Sequence, residues 1–216
     1  MVLTGVVAFV VVAVAWALTR AGVTIAHEGA HALTASAIGG KVGGINIKRG
    51  GGGSTNDNVT DPAKSFLVFL AGYLGPPVFG LCGAMLLSTG RVRPTLWLSV
   101  FLLACALVMA KGWYSTVTIL VTGGLIFLVI RYAGEATQVF FAYTWIWYLL
   151  FGGIRAVLRL AAVHAEGPAP TSDAGRLREL SFIPAKLFVG FFGLASFAAL
   201  VAGGLIMVGA VGPGRT

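Results

Sequence analysis

The residues of this chain with the clearest capacity for chemistry are His27, Glu28 and His31, within the run His27-Glu28-Gly29-Ala30-His31. The whole chain holds only 3 histidines and 7 acidic residues, so this clustering indicates a shared role. Side chains four residues apart lie on one face of an α-helix, so His27 and His31 can bind one zinc ion (Zn²⁺) together. Glu28 lies beside them and can transfer protons. The pattern therefore predicts a metal site with an adjacent general base.

The helix that carries these residues belongs to a chain with the composition of a membrane protein. Hydrophobic residues make up 57% of it, charged residues only 10%, and the mean hydropathy is +0.92. Soluble domains contain about 25% charged residues. We therefore expect one all-α integral membrane domain over residues 1–216, a polytopic bundle of about six or seven transmembrane helices in contact with the lipid bilayer. A charged side chain at the bilayer centre costs about 2.5–3.5 kcal/mol, which favours a functional role for the cluster.

The apolar runs predict spans at residues 2–19, 21–38, 64–88, 94–111, 113–131, 136–158 and 184–210. We divide the first two at Arg20-Ala21-Gly22. One helix over residues 2–38 would be about 55 Å long, whereas the hydrocarbon core is about 30 Å thick. Two spans are favoured, and the alternative of a single helix stays open.

Basic residues then predict the orientation of the bundle. With these spans, 10 of the 15 Lys and Arg residues share one side of the membrane with the N-terminus, the glycine-rich loop at 39–62 and the segment 159–183. Cytoplasmic loops carry the excess of Lys and Arg, so we expect this side, and the N-terminus, to be cytoplasmic. The net charge of +8 is thereby assigned to orientation and to contact with anionic lipid, and no nucleic-acid partner is expected.

A catalytic zinc ion usually has three protein ligands, so a third ligand must be sought outside the helix. The remaining candidates are Asp57, Asp61, Glu135, His164, Glu166, Asp173 and Glu179. Glu135 falls on the opposite side of the membrane from the metal motif. Asp61 precedes Pro62, which is the usual arrangement at a helix N-terminus. His164 and Glu166 lie in a stretch that we expect to be a mobile loop.

Asp173 is the favoured third ligand. The segment 159–183 is expected to be a cytoplasmic loop with a short helix, and Asp173 begins this helix directly after the proline-rich break at 167–170. Span parity brings it to the same side of the membrane as the histidine pair. The alternative is that Ser172 or Asp173 caps the short helix.

The glycine-rich loop contains a candidate strand. Ile45 and Ile47 alternate with polar neighbours, and the glycine run that follows is typical of a flexible turn. One interpretation is a linker. The other is an edge strand in which Ile45, Asn46 and Ile47 bind an extended substrate peptide.

The chain resembles the site-2 protease group of intramembrane zinc metalloproteases, and more closely a compact bacterial subgroup of it. The resemblance is carried by His27-Glu28-Gly29-Ala30-His31 with Ala32-Leu33, by Ala71-Gly72-Tyr73-Leu74-Gly75-Pro76, and by Ser172-Asp173-Ala174 with the residues up to Ile183-Pro184. It implies a zinc-dependent protease of the bacterial plasma membrane that cleaves transmembrane proteins, with His27 and His31 as ligands and Glu28 as general base. The family's third ligand is an aspartate on a later segment, usually within Leu-Asp-Gly. That motif is absent here, so the role passes to Asp173.

Two other classes of function remain open. The chain is nearly all membrane-embedded, and one alternative is a non-proteolytic scaffold or assembly subunit that retains a metal site. For either a scaffold or a protease of this size, partner membrane proteins would select the proteins that it acts on. A transporter is less favoured, because a single His/Glu cluster near one face makes no continuous pathway.

Overall fold

The computed structural model describes residues 2–209 as a helical bundle with one two-stranded sheet. Its helices are α1 (Val2–Val14), α2 (Trp16–Ala37), α3 (Pro62–Ser88), α4 (Val92–Val108), α5 (Trp113–Tyr132), α6 (Glu135–Glu166), α7 (Asp173–Ser181) and α8 (Ala185–Gly209). Its strands are β1 (Val42–Ile47) and β2 (Gly53–Asp57).

The expected all-α membrane bundle is confirmed, but the expected number of spans is not. Within residues 2–209, 4 helices are long and apolar enough to cross a membrane, namely α3, α5, α6 and α8. The bent pair α1–α2 makes a fifth if it is counted as one span. Helix α4, with 17 residues, is shorter than a full span.

The first 38 residues differ from the prediction in where the helix breaks. The break lies at Ala15, where α1 and α2 meet at 106°, and Arg20-Ala21-Gly22 lies inside α2. Gly22 is a site of close packing: a Cβ there would lie 2.8 Å from the Tyr148 hydroxyl of α6. That hydroxyl accepts a hydrogen bond from the Val23 N–H at 3.2 Å and donates one to the Thr19 carbonyl. The predicted division at residues 20–22 is therefore wrong. Gly22 does not end a helix; its missing side chain leaves room for Tyr148 to pack against α2.

Helix α1 runs in the same direction as α6. Gly5 packs on the ring of Trp147, and Phe9 packs on Phe151 with ring centroids 5.6 Å apart. Residue numbers therefore increase in the same direction along both helices. Val2 accordingly lies towards the N-terminal end of α6. This arrangement does not place the N-terminus on the same side as the glycine-rich loop.

The glycine-rich loop forms the predicted strand and turn. Strands β1 and β2 pair antiparallel, with Ile45 opposite Thr55 and Ile47 opposite Gly53. The turn between them uses Gly51 and Gly52, whose φ angles of 87° and 81° favour glycine. The turn is tied to α2, since Arg20 donates a hydrogen bond to the Arg49 carbonyl at 3.0 Å. The hairpin therefore lies against the helix that carries the histidines.

The segment after α6 is shorter than expected. Helix α6 continues to Glu166, beyond the predicted end at residue 158, so His164 lies on a helix and not in a loop. The predicted short helix is present as α7. Its Ala174 and Leu177 are fully buried in a cluster with Val157 and Leu160 of α6 and with Phe188 and Phe192 of α8. This cluster fixes α7 to two long helices.

Candidate metal centre

Three side chains from two distant segments converge on one point. The Nε2 atoms of His27 and His31 lie 3.2 Å apart, and Asp173 Oδ2 lies 3.2 Å from the first and 3.3 Å from the second. The three atoms thus form a nearly equilateral triangle. Donors bound to zinc at 2.0–2.1 Å with tetrahedral angles are about 3.3 Å apart. The residues present therefore fit a metal ion of this kind.

Hydrogen bonding fixes which nitrogen of His31 faces the triangle. His31 Nδ1 donates to the Val68 carbonyl of α3 at 2.7 Å, and a carbonyl oxygen can only accept. In the neutral imidazole, Nε2 then carries a lone pair that is directed at the other two atoms. A backbone carbonyl in this position is the usual outer partner of a metal-binding histidine.

Asp173 supplies the oxygen atom of the triangle. Its Oδ2 is buried and forms no hydrogen bond of good geometry with any residue between 2 and 209. Burial disfavours the charged carboxylate, and positive charge, on the two histidines or on a metal ion bound by them, is what holds the pKa of Asp173 below its usual range. Acceptor atoms this close together need positive charge between them, which a metal ion supplies.

The alternative role for Asp173, capping of α7, is taken by its neighbour. The Ser172 hydroxyl accepts a hydrogen bond from the Gly175 N–H at 3.1 Å, so Ser172 is the N-cap residue. Asp173 is then free to point towards the histidines. The other cap prediction is confirmed as well, because the Asp61 carboxylate accepts from the Lys64 N–H at 2.9 Å at the start of α3.

Helix α3 approaches the metal helix at two glycines of the Ala71–Pro76 segment. A Cβ on Gly72 would overlap the His31 ring, with Cε1 at 2.5 Å, and would lie 2.7 Å from Cε1 of His27. A Cβ on Gly75 would lie 2.5 Å from Cβ of Ala30. Between them, Tyr73 packs edge-on against His27, with ring centroids 4.6 Å apart. The segment holds both imidazoles in place.

Glu28 lies beside the triangle and is held by the hairpin. It is 3% exposed, and its Oε2 accepts a hydrogen bond from the Thr55 hydroxyl of β2 at 2.8 Å. Gly53 packs against the same carboxylate, since a Cβ there would lie 2.6 Å from Oε1. Glu28 is not part of the three-atom group that could hold a metal ion.

The metal group lines a cavity of about 390 Å³ between α2, α3, β2, α6 and α7. Polar and charged side chains outside the motif also line it, among them Arg20, Thr55, Tyr73, Arg159 and Thr171. The site is therefore open to a ligand.

The sequence places most of the site but misses some of its parts. The structure shows three parts of the site that the sequence analysis did not name. They are Thr55, the ring of Tyr73 beside His27, and the Val68 carbonyl. Thr55 stands opposite Ile45 in the hairpin, so strand pairing offered a weak signal for it. A backbone carbonyl such as Val68 leaves no signal in a sequence.

The predicted open edge at Ile45, Asn46 and Ile47 is corrected by the structure. The Ile45 N–H donates to the Met109 carbonyl at 2.7 Å, and the Ile45 carbonyl accepts from the Lys111 N–H at 2.8 Å. The Ile47 N–H donates to the Ser115 hydroxyl at 2.8 Å. Strand β1 is thus covered on the side away from β2, and the side chains of Ile45 and Ile47 are buried. The free edge of the hairpin belongs to β2.

These features together define a membrane protein with a His-Glu-x-x-His helix, whose two histidines and a distant aspartate form a group that could hold a metal ion, and with a buried glutamate beside them. The chain belongs to the Peptidase M50B-like family, whose family model matches residues 1–203. It is accordingly a membrane metalloprotease of the site-2 protease family. Neither the curated proteins nor the solved structures yielded a match to the chain.

Proposed function

We propose that this chain is a zinc-dependent intramembrane endopeptidase that hydrolyses peptide bonds in transmembrane or membrane-adjacent segments of its substrates. The observation that carries the proposal is the triangle of His27 Nε2, His31 Nε2 and Asp173 Oδ2 with the buried Glu28 beside it. Two imidazole nitrogens and one carboxylate oxygen suit zinc and leave a coordination position for a reactant.

The residues of the chain divide the chemical work between them. When bound, zinc lowers the pKa of a coordinated water to about 7 and polarises a carbonyl group. Glu28 accepts the proton of the attacking water and delivers it to the leaving amine. The Thr55 hydroxyl keeps Glu28 Oε2 in one position while this occurs.

The substrate segment would pair with the free edge of β2. Because Ile45 uses its N–H and carbonyl on the side of residues 109–111, its opposite residue Thr55 directs its own N–H and carbonyl away from β1. Gly53 and Thr55 line the cavity of the metal group. A transmembrane helix protects its carbonyls by hydrogen bonding, so the substrate must unwind, and strand pairing would hold the unwound segment. The substrate-binding role expected for β1 thereby passes to β2.

The location of the protein in the cell is part of the proposal. The predicted spans assign 10 of the 15 Lys and Arg residues to the side of the membrane that holds the glycine-rich loop and α7, which favours the cytoplasmic side of a bacterial plasma membrane for the metal centre. Partner membrane proteins would present transmembrane substrates, because the chain is almost wholly membrane-embedded.

The test uses purified protein in detergent and in lipid nanodiscs, with Glu28→Gln and, as a control, the exposed Glu166→Gln. Zinc content is measured directly. Cleavage is followed by mass spectrometry on labelled single-span peptides that carry a helix-destabilising Gly-Pro pair. We expect one zinc per chain in all three proteins, and a loss of cleavage of about 10²-fold or more only in Glu28→Gln. Wild-type protein without zinc, or Glu28→Gln that cleaves like wild type, would refute the proposal. Zinc with no cleavage of any peptide would favour the scaffold.

A further inference from the structure

The third histidine of the chain is attached to the segment that carries the third ligand. His164 lies near the C-terminal end of α6, and its Nε2 lies 2.9 Å from the Ser172 hydroxyl. Ser172 directly precedes Asp173 and caps α7. His164 itself is not among the atoms that form the metal group.

The protons of Ser172 determine the direction of this bond. The hydroxyl has one proton and donates it to the Ala169 carbonyl at 2.8 Å, while it accepts from the Gly175 N–H at 3.1 Å. The bond to His164 must therefore be donated by the imidazole. His164 carries its proton on Nε2, and the Ser172 oxygen is saturated with three hydrogen bonds.

The connection around Ser172 leaves little freedom for α7 once these bonds are made. A Cβ on Gly175 would lie 2.7 Å from the Pro170 carbonyl oxygen, so the first turn of α7 is in close contact with the loop before it. An isolated helix of 9 residues is not stable in water and depends on its cap and its packing. The position of Asp173 therefore depends on the bonds made by Ser172.

We propose that His164 is a positioning residue for the metal centre: by donating to Ser172 it fixes the first turn of α7, so that Asp173 Oδ2 reaches the two histidines. This inference rests on the proposed function, since it assigns a role within the same metal site. In this role His164, on α6, holds the ligand Asp173, which is carried by α7. Removal of groups that orient metal ligands commonly weakens metal binding by about 10- to 100-fold.

The experiment compares His164→Leu, which removes the donor, with His164→Gln, whose side-chain amide can still donate to Ser172. Glu166→Gln on the same helix end is the control. The zinc dissociation constant is measured by competition with a chelator, and the visible spectrum of the cobalt-loaded protein reports ligand geometry. We expect about 10-fold weaker zinc binding and an altered cobalt spectrum in His164→Leu, with His164→Gln within about 2-fold of wild type.

A second variant covers the case in which His164→Leu does not fold. Ser172→Gly keeps a residue type accepted at an N-cap but removes the oxygen to which His164 donates. We expect it to weaken zinc binding as His164→Leu does, and the double variant to be no weaker than either single one. Wild-type zinc affinity in His164→Leu, or in Ser172→Gly, would overturn the inference and leave the proposed function intact. Wild-type protein that binds no zinc would overturn both.

Discussion

Replacement of Gly72 by alanine tests whether the close contact between α3 and α2 holds the two imidazoles in position to bind a metal ion. The new Cβ would lie 2.5 Å from Cε1 of His31 and 2.7 Å from Cε1 of His27. Carbon atoms in contact are normally about 3.5–4.0 Å apart, so either the helices separate by about 1 Å or both imidazoles rotate. Rotation of His31 would break the bond from its Nδ1 to the Val68 carbonyl.

The expected effect on metal binding is larger than the effect on folding. Overpacking of this kind typically costs about 1–3 kcal/mol of stability. Metal–ligand distances, in contrast, tolerate only about ±0.2 Å. A movement of about 1 Å therefore removes at least one histidine from the coordination sphere, and we expect zinc affinity to fall by more than 100-fold.

The assay is thermal unfolding with and without zinc. At 100 times its dissociation constant, zinc stabilises the wild-type protein by about 2.7 kcal/mol, and Gly72→Ala should lose this stabilisation. Gly75→Ala overpacks the same two helices without touching an imidazole, because its Cβ would lie 2.5 Å from Ala30 Cβ. We expect it to cost a similar amount of stability and to weaken zinc binding less than Gly72→Ala does. Gly193→Ala, with its nearest atom at 3.8 Å, should change neither quantity. A Gly72→Ala protein that binds zinc with wild-type affinity would refute the reasoning.

Two further predictions concern the general base and the orientation of the bundle. Thr55→Val removes the donor to Glu28 Oε2, so we expect kcat to fall about 10-fold with unchanged zinc affinity, and Thr55→Ser to restore it; equal kcat in all three proteins would contradict this. In a cysteine-free background, Gly50→Cys should react with a membrane-impermeant thiol reagent from the cytoplasmic side and Gly134→Cys from the opposite side. A tag ahead of residue 1 should be accessible from the Gly134 side, because α1 runs parallel to α6; accessibility from the Gly50 side would show that this inference is wrong.

The parts of the site that the sequence predicts are those governed by helical period and by span parity. His27 and His31 share a helix face because they are four residues apart. The sequence favours Asp173 because the segment 159–183 lies on the same side of the membrane as the metal motif, and this holds however the first 38 residues are divided. The structure brings these three residues within 3.3 Å of one another.

The parts that the sequence did not predict depend on contacts between remote segments. The sequence around Gly22 indicates a turn, but Gly22 lies in a helix and packs against Tyr148, whose hydroxyl accepts a hydrogen bond from the Val23 N–H, 125 residues away in sequence. The edge of β1 is closed by residues 109–115, which nothing in the pattern around Ile45 indicates. Such long-range contacts outweigh local propensity, so a single sequence does not reveal them.

The break at Ala15 has a consequence for how reactant reaches the metal centre. Ala15 is the N-cap residue of helix α2, and its side chain cannot accept a hydrogen bond from the first N–H groups of the helix. Open backbone at membrane depth persists only where it is buried in protein or faces an aqueous cavity. Trp16 and Arg20, from the first turns of α2, line the same cavity as the metal group. We therefore expect water to enter the cavity beside the break, and the proposed hydrolysis, which consumes one water per bond, can draw on that water.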